Sequence, residues 1–186
     1  MGRLFVISGI PAAGKSTVAE ALMRRCARGV AVDGDAIRAM VVGGGVDMSP
    51  SPSEEALRQL RLRYRASLAV AATYLDAGFD VAFGDCVLGP MLGELPRIVP
   101  VERFHLVVLD PAPETVRERD RLRNYSVYTG QNGKFAWLRD VLEQETPRLG
   151  LWLDTSRQSP EETAAEIMAR LDESLVAAAR ERVGGA

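Results

Sequence analysis

Residues 9–17 read Gly-Ile-Pro-Ala-Ala-Gly-Lys-Ser-Thr, which sets Lys15 and the hydroxyls of Ser16 and Thr17 directly behind a glycine-bounded turn. The spacing G-x-x-x-x-G-K-S is the Walker A, or P-loop, signature. Backbone N–H groups of such a turn, with the positive end of a following helix dipole, make an anion site. Gly9 and Gly14 let the main chain turn and approach phosphate oxygens, and Ala12 and Ala13 contribute backbone donors between them. Lys15 is placed to reach the β- and γ-phosphates of a nucleoside triphosphate, and the Ser16 hydroxyl to ligate Mg²⁺. The expected chemistry is phosphoryl transfer or hydrolysis.

Three carboxylates could serve that chemistry. Asp33 and Asp35 follow the short apolar run Val30-Ala31-Val32, at a strand end expected to face the γ-phosphate. A carboxylate there can take the proton of an attacking hydroxyl. Asp33, directly at the strand end, ranks first as the base. Asp35 could instead cap the next helix, hold the acceptor or ligate Mg²⁺ through water, and one of the two is expected to be that cap. Asp85 ends another apolar run, 79–83, and could hold the metal's water shell.

Arginines supply the remaining candidates. Arg38 lies one turn into the helix after Asp35 and is a candidate acceptor contact. Arg58, Arg61 and Arg65 recur at spacings of three and four on a long helical pattern, and Arg58 and Arg61 join the acceptor candidates. Arg117, Arg119, Arg121 and Arg123 crowd a helix that enters the polar stretch 124–133, which reads as a mobile loop followed by Lys134. A lid over 117–134 could bring Arg119 and Arg123 onto a transferring phosphoryl group. The same arginines could also be solvated faces paired with neighbouring Glu and Asp residues.

The elements that must position these groups alternate. Strands are expected at 4–7, 30–32, 79–83, 104–109 and 151–153. Helices are expected after the P-loop, after Asp35, from 53 to Leu75, from 113 to 122, from 135 to 145, and from about 160 through Leu175. Residues 86–98, with Gly89, Pro90, Gly93 and Pro96, read as a loop holding a helical turn or two. Strand–helix alternation makes a doubly wound α/β sheet. Right-handed crossovers then gather the strand ends, and with them Gly9, Asp33, Asp85, Asp110 and Asp154, on one rim.

Bulk properties narrow the classes. The 186 residues suit a single domain over 1–186, with 47% hydrophobic and 26% charged residues. A formal net charge of −2 argues against nucleic acid as a partner. There is no apolar run long enough for a membrane span, and a strand pattern within the first few residues leaves no room for a signal peptide. Cys26 and Cys86, in no metal-type spacing, suit the reducing cytoplasm. His105, the only histidine, sits in an apolar strand pattern and reads as a packed residue.

Residues 9–17, the stretch Val32-Asp33-Gly34-Asp35-Ala36-Ile37-Arg38 and the stretch Asp85-Cys86-Val87-Leu88-Gly89 together resemble the small-molecule P-loop kinases. The resemblance is to the chloramphenicol phosphotransferase-like group and the wider AAA-type small kinases. Asp-Gly-Asp-x-x-Arg is also similar to adenylyl-sulfate kinases, and gluconate kinases share the layout. The glycine loop is less serine-rich than that of the antibiotic kinases. The resemblance implies a three-layer P-loop fold with a five-stranded parallel sheet in the order 2-3-1-4-5, ATP as donor with Mg²⁺, and an arginine-bearing lid. It also implies a strand-end aspartate, here Asp33, as base, and a small-molecule hydroxyl, on an antibiotic or sugar-like metabolite, as acceptor. Alternative expectations are a sugar-nucleotide kinase, a nucleic-acid end kinase, or a nucleotide-dependent switch without catalysis.

Overall fold

The computed structural model describes residues 2–122 and 136–179. Arg123, Lys134 and most of the expected lid loop lie outside these residues. Among the described residues, no helix is long and apolar enough to cross a membrane.

The apolar runs form the strands expected of them. They are β1 (Leu4–Gly9), β2 (Gly29–Asp33), β3 (Asp80–Gly84), β4 (Arg103–Leu109) and β5 (Leu151–Leu153). They pair in parallel in the order β2-β3-β1-β4-β5, the order that the family resemblance implies. The central strand β1 is buried at every position, which is why it reads as an unbroken apolar run.

Helix α1 (Lys15–Arg24) leaves the P-loop and packs against β3, and α3 (Glu54–Asp76) also packs against β3. The two lie on opposite faces of the sheet. A Cβ on Gly84 would meet Lys15 of α1, while its neighbour Phe83 meets Tyr64 of α3 edge-on at 6.4 Å. Alternate strand residues face opposite ways, so the sheet is the middle of three layers. Helix α2 (Gly34–Ala39) contacts α3, and α7 (Pro160–Ala169) lies against α1.

Three elements differ from the sequence reading. Residues 90–98 form a full helix, α4 (Pro90–Ile98), not a loop with a turn or two. Pro90 stands at the helix start, where no N–H is needed, and burial of Leu92 and Leu95 outweighs the breaker residues. After α5 (Pro113–Arg121), the expected 135–145 helix appears as a short α6 (Trp137–Asp140) running into a π-helical turn (Val141–Glu145).

The terminal helix is also shorter than its apolar spacing suggests. It stops at Ala169, is followed by α8 (Leu171–Ser174), and gives way to a sixth strand, β6 (Leu175–Ala177), antiparallel to β4. The short β5 pairs only with Val107, Val108 and Leu109, and β6 takes the preceding stretch of β4, from Arg103 to His105. An open backbone edge there has unmet hydrogen bonds, and that demand overrides the helical spacing of Leu171 and Leu175. His105 stacks on Phe5 with ring centroids 4.7 Å apart, and its Nδ1 lies 2.9 Å from the Ser174 hydroxyl. It is a packing residue.

Candidate active site

The P-loop runs from the end of β1 into α1. Gly9 and Gly14 take φ of 146° and 100°, and Ala12 also has a left-handed φ of 62°. Gly9 has a second constraint, since a Cβ there would lie 2.6 Å from the Leu109 carbonyl oxygen. The loop is stitched by Ala13 N–H to the Ile10 carbonyl at 3.1 Å and by the Thr17 hydroxyl to the Gly14 carbonyl at 2.8 Å. Lys15 Nζ donates to the Ile10 carbonyl at 2.9 Å, so its ammonium folds over the loop it would share with a phosphate.

Asp33 joins this loop to α2. Its Oδ1 accepts the Asp35 N–H at 2.9 Å and caps the helix, and its Oδ2 accepts the Ser16 hydroxyl at 3.2 Å. Both Asp33 oxygens are therefore engaged. Asp35 lines the same cleft from one residue into α2. The cap expected of one member of the pair thus belongs to Asp33.

Asp85 directly follows β3 and is 3% exposed. Its Oδ1 accepts from Arg63 Nη2 at 2.8 Å and from the Cys86 N–H at 2.6 Å. Its Oδ2, like Arg63 Nε, is buried without a hydrogen-bond partner. Burial pushes the Asp85 carboxyl above its ordinary range, against the opposing pull of Arg63 and the Cys86 N–H. Burial also raises the Cys86 thiol to about 11, which keeps it protonated and unreactive at neutral pH. Tyr64 donates its phenol to the Cys86 carbonyl at 2.8 Å and braces this corner.

Gly34, between the two aspartates, is required by that corner. A Cβ there would lie 2.0 Å from Asp85 Oδ2. Alanine at a helix position is ordinarily stabilising relative to glycine. Here Gly34→Ala is expected to destabilise by about 1–3 kcal/mol, the range for overpacking. Urea unfolding checks it; an unchanged or raised midpoint would mean that α2 moves freely away from Asp85.

The remaining sequence candidates separate. Arg38 pairs with Asp47, Arg58 with Glu55 at 2.6 Å, and Arg61 with Glu94 at 3.1 Å, all along the cleft. Arg119 is held elsewhere. Its guanidinium donates to the carbonyls of Ala13 at 3.0 Å and Thr155 at 2.6 Å, behind the P-loop. Arg119 is not among the residues that line the cleft holding Lys15, Ser16 and Asp35. Arg123 lies outside the described residues. Sequence reasoning passed over Arg63, whose side chain is 15% exposed, and Glu145, which the π-helical turn carries into the cleft wall.

The cleft has a volume of about 1790 Å³ and runs from Lys15 and Ser16 across Asp35 and Arg63 to Glu145. One end can thus take a polyphosphate and the other a second molecule. Mg²⁺ fits the first end. Ser16 and Asp33 bring two oxygen donors to the phosphate site, and Mg²⁺ keeps most of its shell for phosphate and water. Among the described residues, no group of three His, Cys, Asp or Glu side chains is arranged to hold a metal without such phosphate oxygens. Asp85, expected near the metal, is instead committed to Arg63 and Cys86.

Residues 4–147 match the model of a family described as an AAA domain. No curated protein matches the sequence. Among solved structures, a sugar kinase from Janibacter is similar, with 20% identity, a TM-score of 0.62, and coverage of 94% of this chain and 96% of that one. The APS kinase of Mycobacterium tuberculosis, solved with AMPPNP and APS, has 18% identity, a TM-score of 0.64, and coverage of 92% and 98%. The tunicamycin resistance protein of Deinococcus radiodurans has 17% identity, a TM-score of 0.61, and coverage of 95% and 99%. At these identities the likeness carries the fold, which is that of the P-loop kinases.

Proposed function

The chain belongs to the AAA-domain family matched above, and from that premise we propose that it is an ATP-dependent kinase acting on a hydroxyl of a small molecule. The observation that carries this is the single cleft in which Lys15 and Ser16 of the P-loop share space with Asp35, a carboxylate in the first turn of α2. The neighbouring sugar kinase and APS kinase support the class.

In this reading the loop N–H groups and Lys15 hold the β- and γ-phosphates. Ser16 and Asp33 would hold Mg²⁺, which neutralises phosphate charge when bound. The acceptor oxygen forms a bond to the γ-phosphorus as the bond from that phosphorus to the β,γ-bridging oxygen breaks. The acceptor proton passes to a carboxylate, and ADP leaves. The sequence ranks Asp33 first as that base. Its engagement with the helix cap and Ser16 supports giving it the metal side and giving Asp35 the proton. Asp33 takes the proton in the second reading, in which Ser16 turns to the metal and frees Asp33 Oδ2.

Arg119, fixed by backbone carbonyls, would brace the loop around the nucleotide. Arg38, Arg58 and Arg61 would line the acceptor end. The acidic balance of the chain stands against a nucleic-acid end, and the carboxylate pair beside the P-loop stands against a switch without chemistry.

Turnover of ATP with Mg²⁺ over hydroxylated antibiotics, sugars, nucleosides and nucleic-acid ends tests the proposal. The expected result is stimulation by one small-molecule class, with a product heavier by one phosphoryl group. Stimulation by nucleic-acid ends or sugar nucleotides would move the reading to those kinases. ATP binding with no acceptor-stimulated turnover would favour the switch.

A further inference from the structure

The four arginines that line the cleft are Arg38, Arg58, Arg61 and Arg63, and each already has a carboxylate. The pairs are Arg38 with Asp47, Arg58 with Glu55, Arg61 with Glu94, and Arg63 with Asp85. Lys15 remains, and it belongs to the phosphate end. The acceptor end keeps Asp35 and Glu145, neither of which has an ion pair to a described arginine or lysine. An anionic acceptor entering here meets arginines that already hold carboxylates, and two carboxylates without an ion pair of their own.

The rim beside these pairs is apolar. Met40, Val41, Val46 and Leu62 are 70%, 51%, 42% and 55% exposed, and all four line the cleft. Exposed apolar side chains gathered at a groove mark a binding surface. The rim is also anchored. Gln59 of α3 accepts the Val46 N–H at 2.9 Å and donates to the Gly44 carbonyl at 2.9 Å, which ties the glycine-rich segment 43–46 to the helix.

We infer that the acceptor is a non-anionic alcohol, uncharged or basic, with an apolar flank that rests on the rim formed by Met40, Val41, Val46 and Leu62. This names the substrate class of the cleft and rests on the kinase reading only for the word acceptor. Alcohols bearing carboxylate, sulfate or phosphate are disfavoured because every arginine that lines the cleft already holds a carboxylate, and the one lysine, Lys15, lies at the phosphate end. Like-charge juxtaposition is a strong discriminator between ligands.

The test uses two probes of nearly the same shape, uncharged N-phenyl-1-naphthylamine and its anionic relative 8-anilinonaphthalene-1-sulfonate. Each is titrated into the full chain holding a non-hydrolysable ATP analogue, by fluorescence. The same titrations are run on Val41→Asp, which charges the rim, and on Glu55→Gln/Glu94→Gln, which releases Arg58 and Arg61. The uncharged probe is expected to bind about tenfold tighter than the anion. Val41→Asp weakens that binding, and the double variant raises affinity for the anion by about tenfold. Equal or tighter binding of the anion by the wild type, indifference of the neutral probe to Val41→Asp, or no gain for the anion in the double variant overturns the inference. None of these readouts requires turnover, so failure of the kinase reading shows separately, as absence of acceptor-stimulated ATP consumption while the probe preference persists.

Discussion

Asp35→Asn is expected to lower kcat by about 10²–10⁴-fold while nucleotide affinity stays within about twofold of wild type, the range for losing a general base. Asp33→Asn is expected to behave differently. Asparagine caps a helix about as well as aspartate, so the hydrogen bond that residue 33 accepts from the Asp35 N–H survives the change. What is lost is the negative charge beside Ser16. The predicted signature is a higher Mg²⁺ requirement, with much of kcat recovered at saturating metal. Measuring kcat against Mg²⁺ for both variants separates the roles. An inactive Asp33→Asn at saturating Mg²⁺ together with an active Asp35→Asn would return the base to Asp33, the assignment made from strand position alone.

That ranking shows where sequence suffices and where it stops. The P-loop and the five parallel strands are legible because each depends on a contiguous pattern: glycine spacing, apolar runs and strand–helix alternation; the order of the strands comes only with the family resemblance. The cap at Asp33 is a local bond to the Asp35 N–H, but the engagement of its other oxygen depends on a hydroxyl seventeen residues away, and no local pattern reports that. Strand β6 is hidden for a similar reason. Leu171 and Leu175 keep helical spacing, but the exposed edge of β4 decides the backbone.

Arg63 is the instructive omission. Spacings of three and four select Arg58, Arg61 and Arg65, which lie on or beside the open face of α3. Arg63 instead follows Ala56 by seven and precedes Ser67 by four, on a line with the buried Ala71. An arginine on a buried stripe must find a buried acid, and Asp85 was already marked as a strand-end carboxylate. The signal was present as a conflict between charge and periodicity. Glu145 carried none. Its place in the cleft depends on a π-helical turn, which an α-helical reading of 135–145 does not contain.

The Arg63–Asp85 pair also supports the largest stability prediction. Asp85→Leu leaves the Arg63 guanidinium buried without its carboxylate, and Arg63→Met leaves the carboxylate without its cation. Each single change is expected to destabilise the protein by about 3–5 kcal/mol, the usual result of breaking one side of a buried pair. The double variant Arg63→Met/Asp85→Leu removes both charges and fills the space with apolar groups. Its expected stability is within about 1–2 kcal/mol of wild type, because desolvating the pair consumes most of its mutual attraction. Urea unfolding of the three variants forms the cycle. Additive losses in the double variant, or a single change within about 0.5 kcal/mol of wild type, would show that water reaches the pair and that its buried orphan atoms, Arg63 Nε and Asp85 Oδ2, are satisfied in solution. If the cycle closes as expected, loss of acceptor-dependent turnover in the well-folded double variant would place the pair in acceptor positioning, since folding would no longer account for the defect.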